Sequence, residues 1–259
     1  MDLGIAGRKA IVCGSSKGLG RACALKLAEA GCMVVVNGRD KKVVDATARE
    51  IRKATDARVT PVAADVSTPE GQKALFAACP EPDILVTNNA GPPPRDFRTL
   101  TRQQMLDGVV ANMVSAIEII QGAVDSMVAK KFGRIVAITS AGVRMPQTGL
   151  ELSCGARAGL TAFLAGIARA VAAHNVTINF LLPGAFETER LQAIFEATAA
   201  RTGTTPEQVR AERLAAIPAR RAGRPDEFGA ACAYLCSAQA GYITGHNFLI
   251  DGGAFPGAF

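Results

Sequence analysis

A glycine-rich segment near the start of the chain has the spacing of a phosphate-binding loop. It reads Gly14-Ser15-Ser16-Lys17-Gly18-Leu19-Gly20 and joins a short apolar run to an amphipathic stretch. A pyrophosphate needs backbone N–H donors, and glycines let the main chain approach it at the N-terminus of a helix. The motif is weak evidence alone, but its place at the first strand-to-helix turn predicts a dinucleotide site.

The residues that follow the second predicted strand indicate which dinucleotide binds. The segment Val36-Asn37-Gly38-Arg39 offers no carboxylate to the adenosine ribose, whereas an NAD-preferring site would have one there. Arg39 and Lys17 could pair with a 2′-phosphate, although Arg39 could equally be an ordinary solvated charge at the start of a helix. We expect the cofactor to be NADP(H), with NAD(H) less favoured.

Short β-rich runs alternate with longer amphipathic stretches, which is typical of a parallel sheet covered by helices on both faces. The predicted strands are Lys9–Cys13, Met33–Asn37, Arg58–Ala64, Ile84–Thr87, Arg134–Thr139, Val176–Leu182 and Asn247–Ile250. The predicted helices are Gly18–Ala30, Lys41–Ala54, Pro69–Ala78, Thr101–Lys130, Cys154–Ala173 and Pro225–Ser237. We therefore expect one doubly wound Rossmann-type α/β domain over residues 1–259, with about seven parallel strands.

One long segment, residues 185–224, interrupts this alternation between the last two predicted strands. Long insertions at the carboxyl ends of strands usually cover a ligand site, so we expect this one to cover the substrate. Its arginines could attract an acidic or acyl-carrier substrate, although a solvated helix face is at least as good an interpretation. These arginines are Arg190, Arg201, Arg210, Arg213, Arg220, Arg221 and Arg224.

Composition argues against several other classes of protein. The net charge is +6, but aromatic residues make up only 5%, which disfavours a nucleic-acid stacking surface. Seven cysteines without a C-x-x-C pair and only two histidines predict neither a disulfide framework nor a metal site. No uninterrupted apolar run approaches the ~20 residues that span a bilayer, and the N-terminus lacks a signal-peptide layout. We expect a cytoplasmic protein that acts on a small molecule.

Several motifs in the same order resemble those of the short-chain dehydrogenase/reductase family, and the resemblance covers nearly the whole chain. Besides the glycine loop they are Asp65-Val66, Asn88-Asn89-Ala90-Gly91, Asn112, Ser140, Pro183-Gly184 with Thr188, Tyr242-Ile243-Thr244-Gly245, and Asp251-Gly252-Gly253. The family has reductases of 3-oxoacyl groups carried on acyl-carrier protein among its members, and this chain looks most like those.

The resemblance implies roles for these residues. Asp65 and Val66 would hold the adenine, while Asn112 and Ser140 would belong to the active site. The remaining cofactor contacts would come from Asn89, Ala90, Gly91, Pro183, Gly184 and Thr188. The resemblance also implies a homotetramer or dimer assembled through the two long central helices.

The tyrosine and lysine on which the family relies are absent. The family's Tyr-x-x-x-Lys motif begins thirteen residues after the serine, which here falls on Ser153 and, four residues later, on Arg157. The only tyrosines in the chain are Tyr234 and Tyr242, so no shift of register restores the motif. The resemblance thus implies an atypical site in which Ser153 and Arg157 replace the usual proton donor and its partner.

This replacement changes the available chemistry. A serine hydroxyl is far less acidic than a phenol and its side chain is shorter, so Ser153 cannot simply act as the donor. Arg157 keeps a positive charge that could bond the nicotinamide ribose or stabilise an oxyanion, but its planar fork is not equivalent to an ammonium group. Glu151 and Cys154 could supply an acid or a thiolate, although an exposed carboxylate and a small packing residue are the more ordinary interpretations.

Three interpretations of the function remain. In the first, NADP(H) reduces a carbonyl-like group, and the proton comes from a bound water, the substrate, or Ser140 working with Arg157. In the second, the pocket has lost redox activity and performs non-redox chemistry or senses a ligand. In the third, the chain is a partner subunit kept for assembly. The first is favoured because every dinucleotide-contact motif persists, including Thr188.

Overall fold

A computed structural model describes residues 2–257 and contains a seven-stranded parallel sheet in the order β3-β2-β1-β4-β5-β6-β7. The strands are β1 (Lys9–Val12), β2 (Met33–Gly38), β3 (Val59–Ala63), β4 (Ile84–Thr87), β5 (Gly133–Ile138), β6 (Val176–Pro183) and β7 (Asn247–Ile250). The strand order reverses between β1 and β4, which opens a crevice at their carboxyl ends. The predicted doubly wound α/β fold is therefore confirmed.

Helices cover both faces of this sheet. They are α1 (Gly18–Glu29), α2 (Lys41–Thr55), α3 (Pro69–Ala78), α4 (Arg102–Val109), α5 (Ser115–Ala129), α6 (Glu151–Val171), α7 (Glu189–Thr202), α8 (Pro206–Ala215) and α9 (Pro225–Leu235). The insertion of residues 185–224 thus contains two helices, α7 and α8.

Two helix predictions need correction. The predicted helix Thr101–Lys130 is divided into α4 and α5 by a π-helical segment, Val110–Val114. The helix predicted to begin at Cys154 begins at Glu151, because Gly149 adopts a φ of 83° that ends the preceding loop. The carboxylate of Glu151 then accepts a hydrogen bond from the Gly149 N–H, at 3.0 Å.

The central strands are apolar on both faces, so each face carries its own core. Along β1, Ala10 and Val12 face the layer that contains α1 and α9, while Ile11 faces the layer of α5 and α6. Burial on both sides explains why these strands read as continuous apolar runs without alternation. The sheet is thereby a rigid platform whose carboxyl edge carries the loops described below.

Two helical runs, Arg102–Ala129 and Glu151–His174, are long and apolar enough to cross a membrane by length and composition. Both lie on the sheet of the described domain through buried residues such as Ile119 and Leu164. This packing accounts for part of their apolar character, and other apolar side chains on them, such as Leu106 and Phe163, are exposed.

The glycine loop depends on Gly20, which lies in the first turn of α1. A β-carbon at this position would overlap the carbonyl oxygen of Gly14, so the loop closes only over a residue without a side chain. Gly155, on the exposed side of α6, has open space where a β-carbon would stand.

We expect Gly20→Ala to lower the free energy of unfolding by about 1–3 kcal/mol through this overlap. The control Gly155→Ala should leave stability unchanged or raise it by up to about 1 kcal/mol, because alanine is the better helix former. Urea unfolding monitored by circular dichroism measures both. Equal stabilities of the two variants would contradict the close packing of the loop.

Candidate active site

The glycine loop is held open by Asn37 at the end of β2. The Asn37 Oδ1 accepts from the Gly14 N–H at 3.1 Å, and its backbone carbonyl accepts from the N–H groups of Ser15 and Ser16 at 2.7 and 3.1 Å. Its Nδ2 in turn donates to the Ala64 carbonyl at 3.0 Å. The first turn of α1 keeps its own N–H groups free of intrahelical acceptors and directs them at the site where a phosphate would lie.

The structural role of Asn37 was not predicted from the sequence, because this position was considered only for the absence of a carboxylate that could bind the ribose. The signal was present as a polar residue inside the apolar run of β2, and the side chain is almost completely buried. A buried amide of this kind is normally retained only when its hydrogen bonds are satisfied, as they are here.

The two cations predicted to receive a 2′-phosphate have different surroundings. Lys17 pairs with Glu189 of α7 at 2.8 Å, and this contact accounts for the raised pKa of Lys17. Arg39 is exposed, and the described residues place no carboxylate in an ion pair with it. A β-carbon at Gly38 would lie 2.5 Å from Ser16 Oγ, so a side chain there would displace the loop.

Asp65 lies after β3, where the resemblance places the adenine. Its Oδ1 accepts from the Ser67 hydroxyl at 2.6 Å and from the Ser67 N–H at 2.9 Å. These hydrogen bonds lower the pKa of Asp65, partial burial opposes them, and the charge of Arg39 adds to the lowering. The carboxylate is therefore ionised and fixed at neutral pH.

Ser153 and Arg157 lie one turn apart on α6, so their side chains share one face of the helix. Arg157 Nε donates to Ser153 Oγ at 3.3 Å, Nη1 donates to the Ile138 carbonyl at 2.8 Å, and Nη2 donates to the Asn89 carbonyl at 3.0 Å. The guanidinium thus joins α6 to the end of β5 and to the loop after β4.

The guanidinium of Arg157 is buried without a counter-ion. Its side chain is only 8% exposed, and no Asp or Glu contributes to its pKa. Burial, aided by the charge of Arg190 and opposed by Cys154, lowers that pKa to about 10. Arg157 nevertheless stays protonated at neutral pH, and only three of its five N–H groups are used.

A second arginine reaches the same place from the insertion. A β-carbon at Gly91 would lie 3.1 Å from Ser153 Oγ, 3.3 Å from Arg190 Nη2 and 3.8 Å from Arg190 Nη1. Arg190, in the first turn of α7, therefore extends its guanidinium over the Asn-Ala-Gly segment beside Ser153. Sequence reasoning grouped it with the other arginines of the insertion and did not place it at the site.

The other arginines of the insertion mainly serve the surface. Arg210 pairs with Glu187 at 3.0 Å, Arg221 pairs with Glu227 at 2.8 Å, and Arg224 pairs with Asp226 at 3.1 Å. Surface pairs of this type contribute little to stability. They agree with the interpretation of a solvated helix face better than with that of a steering surface.

Asn112 lies within the π-helical segment and faces a small cavity. Its Oδ1 is buried without a hydrogen-bond partner, and its Nδ2 makes a long contact of 3.4 Å to the Gly108 carbonyl. The cavity has a volume of about 20 Å³ and is also lined by Arg157 and Asn89. A space of this volume is large enough for one water molecule.

Ser140 begins a short turn directly after β5. Its Oγ accepts from the Gly142 N–H at 3.0 Å, which leaves the hydroxyl proton free to donate to a ligand. A β-carbon at Gly142 would lie 2.6 Å from Cys154 Sγ, so the buried thiol packs against this turn. Cys154 therefore has the packing role expected of a small core residue.

A larger cavity of about 380 Å³ adjoins Ser153 and is a plausible size for a small substrate. Its walls come from the loop after β4, the segment 149–153, several residues between 100 and 111, and Arg39. The first two walls are joined because the Arg95 N–H donates to the Gly149 carbonyl at 3.0 Å. Glu151 also lines this cavity, with its carboxylate bound at Gly149. Both tyrosines lie elsewhere: Tyr234 is exposed and Tyr242 is fully exposed.

A glycine loop at the strand-order reversal, with polar side chains at the adjoining carboxyl ends, defines a dinucleotide-binding α/β protein with an enzyme-like pocket. A family model described as Enoyl-(Acyl carrier protein) reductase matches residues 14–254. The chain belongs to the short-chain dehydrogenase/reductase family.

Individual relatives agree with this assignment. The chain is 29% identical to the NADPH-dependent reductase BacG of Bacillus subtilis, over 95% of this chain and 97% of BacG. It is 32% identical to the 3-oxoacyl-[acyl-carrier-protein] reductase FabG of Escherichia coli, over 96% and 98% of the two chains. A crystal structure of L-sorbose reductase from Gluconobacter frateurii with NADPH and L-sorbose has a TM-score of 0.94, 26% identity, and coverage of 99% and 100%.

We expect Arg157→Met to lower the free energy of unfolding by about 1–3 kcal/mol, because the Ile138 and Asn89 carbonyls lose their guanidinium donor. Arg169→Met is the matched control, since Arg169 is exposed on the same helix. Its effect should stay within about 0.5 kcal/mol. Urea unfolding measures both. If Arg157→Met is as stable as the control, the three hydrogen bonds do not hold this region together.

Proposed function

We propose that this chain is an NADP(H)-dependent reductase of a carbonyl-like group on a small molecule, with a proton source other than tyrosine. The observation that carries the proposal is the Ser153–Arg157 unit, hydrogen-bonded at 3.3 Å and tied to the Asn-Ala-Gly loop beside the cofactor crevice. Relatives described as NADPH-dependent reductases support the same activity.

The site fits a dinucleotide for two reasons. The glycine loop, held by Asn37, leaves N–H groups of the first turn of α1 for the dinucleotide phosphates. Gly38 at the end of β2 has no side chain that would displace this loop. When bound, NADPH supplies the hydride. Pro183 ends β6, and Gly184 and Thr188 follow it at the same edge, where the family resemblance assigns all three to the nicotinamide. A β-carbon at Gly184 would lie 2.7 Å from Asp251 Cβ, so this loop also requires a glycine.

The residues around the reacting carbonyl would stabilise charge rather than donate a proton. Ser140 and Ser153 each keep a hydroxyl group that can donate a hydrogen bond to the carbonyl oxygen. Arg157 donates to Ser153 Oγ, which strengthens that donor and places a positive charge near the developing oxyanion. A preorganised positive charge would supply much of the oxyanion stabilisation to which a tyrosine hydroxyl would otherwise contribute.

The proton itself would come from water in the space that a tyrosine ring would occupy. Ser153 lines the large cavity, so a water can lie between its hydroxyl and the substrate oxygen. Absence of a positioned general acid slows a reaction by ~100- to 10,000-fold. The reaction is therefore expected to be slow unless the substrate forms a stable enolate or already carries the proton.

Arg39 would select NADP(H) over NAD(H). It is an exposed cation directly after β2, and no carboxylate in the described chain forms an ion pair with it. Its charge contributes to the lowered pKa of Asp65. Lys17 would contribute only if a 2′-phosphate displaced Glu189 from its 2.8 Å contact. The prediction for Lys17 is thus modified: its pairing with Glu189 competes with its pairing to the cofactor.

We expect Arg39→Gln to weaken NADPH binding by about 10-fold or more and to leave NADH binding unchanged, because only NADPH carries the 2′-phosphate. Arg49→Gln on the exposed side of α2 removes the same charge nearby and serves as control. Fluorescence titration with both dinucleotides measures the effect. Equal loss of NADPH and NADH affinity would contradict this role of Arg39.

The proposal includes a cytoplasmic homo-oligomer, either a dimer or a tetramer, without a nucleic-acid or membrane partner. Its contact surface would be the outer face of the long central helices, where large apolar side chains are exposed. These are Met105, Leu106, Val110 and Phe163. Exposed apolar groups clustered on one face are typical of a subunit interface.

One observation favours a second candidate function, that of an NADP(H)-binding homologue without redox activity. The described site contains no phenol, because Tyr234 and Tyr242 lie on the surface away from both cavities. Such a protein would perform non-redox chemistry, sense a ligand, or serve as a partner subunit. It would bind NADPH without consuming it.

Loss of NADPH absorbance against a panel of ketones, aldehydes and oxo acids separates the two candidates. We expect slow turnover by the wild type, and a large gain in ketone reduction by the double variant Ser153→Tyr with Arg157→Lys, which restores an acidic phenol beside a cation. NADPH binding without turnover by either protein would favour the second candidate function.

A further inference from the structure

The two arginines at the site repel each other, and no carboxylate of the described residues forms an ion pair with either of them. Arg157 is buried on α6, and Arg190 extends from α7 to the same Gly91–Ser153 region. The acidic neighbours of Arg190 are engaged elsewhere: Glu189 pairs with Lys17, and Glu187 pairs with Arg210. Glu151 and Asp107 line the adjoining cavity, but Glu151 is bound at the Gly149 N–H and Asp107 at the Gln103 amide, and neither pairs with an arginine of the site. Two cations without an ion-pair partner favour an anionic ligand.

We propose that the substrate is a short 2- or 3-oxo carboxylate, whose carboxylate is bound by Arg190 within the field of Arg157. This inference rests on the proposed reductase function and names its substrate class. Arginine is suited to the task because its planar fork binds a carboxylate through two parallel hydrogen bonds.

The geometry limits the length of this substrate. A β-carbon at Gly91 would lie 3.1 Å from Ser153 Oγ and 3.3 Å from Arg190 Nη2, so these two atoms are close to each other. A carboxylate bound to Arg190 would therefore lie near the Ser153 hydroxyl and the substrate carbonyl group beside it. The carboxylate is then attached directly to the reducible carbonyl group or lies one carbon away from it, as in a 2- or 3-oxo acid.

Charge complementarity also compensates for the missing acid. The carboxylate offsets the repulsion between the two arginines, so binding it stabilises both of them in place. Hydride addition to the ketone of an oxo acid gives an alkoxide, and the nearby guanidinium groups would stabilise this charge until water protonates the oxygen. The substrate class and the loss of tyrosine are therefore compatible.

Binding is tested without turnover by loading the protein with NADP⁺, which cannot reduce a ketone. Calorimetry compares pyruvate with methyl pyruvate and acetoacetate with methyl acetoacetate, because each ester differs from its acid by the loss of charge. We expect at least one acid to bind about 10-fold or more tightly than its ester. Arg190→Gln should abolish this difference, and Arg201→Gln, the same change elsewhere on α7, should preserve it.

Titration of the Arg190→Gln variant with NADPH separates a substrate role from a cofactor role, and we expect its NADPH affinity to change less than about twofold. Equal binding of acid and ester by the wild type, or no measurable binding of either acid, would overturn the inference. A loss of NADPH affinity equal to the loss of acid affinity would also overturn it, since Arg190 would then serve the dinucleotide. Failure of the reductase proposal has another signature: the acid binds, and NADPH is not oxidised by any carbonyl compound.

Discussion

The structure of the site depends on a buried guanidinium that has hydrogen bonds but no counter-ion. Arg157 donates to Ser153 Oγ, to the end of β5 and to the Asn-Ala-Gly loop, and it thereby fixes the three segments that meet at the carboxyl edge of the sheet. Taking such a charge out of water is unfavourable unless it gains compensating partners. Three neutral oxygens compensate only partly, and the lowered pKa of about 10 reflects the remainder.

This partial compensation links the fold to the chemistry. A fully paired arginine would be an inert structural residue, whereas a partly satisfied one retains donors and charge for a ligand. The Asn112 acceptor in the adjoining 20 Å³ cavity and the exposed tip of Arg190 lie around the same guanidinium. In the proposed reaction, electrostatic stabilisation by these groups would take the place of acid catalysis, at the expense of rate.

Much of the fold and part of the site could be predicted from the sequence. The bounds of β4, β7 and α3 agree with the predicted ones, because β-branched runs and Pro69 at a helix start are local signals. The glycine loop was recognisable because its spacing and its place after β1 are also local. The family assignment followed from motifs that keep their order along the chain.

The remaining features arise from contacts between distant segments. The start of α6 at Glu151 depends on the positive φ of Gly149, and the bracing of the loop by Asn37 depends on two neighbouring strands. The approach of Arg190 to Gly91 depends on how the insertion folds over the sheet, which a run of dispersed arginines does not reveal. The ion pair of Lys17 with Glu189 joins residues that are far apart in sequence, so the sequence alone does not show that Glu189 competes with a phosphate for Lys17.

Transfer of deuterium from labelled NADPH tests most directly whether this site still reduces a carbonyl group. NADPH labelled on either face of the nicotinamide is incubated with the protein and the carbonyl panel, and product alcohols are analysed by mass spectrometry. We predict that label from one face alone appears on the carbinol carbon. Tight NADPH binding with the label retained in the dinucleotide would contradict the account.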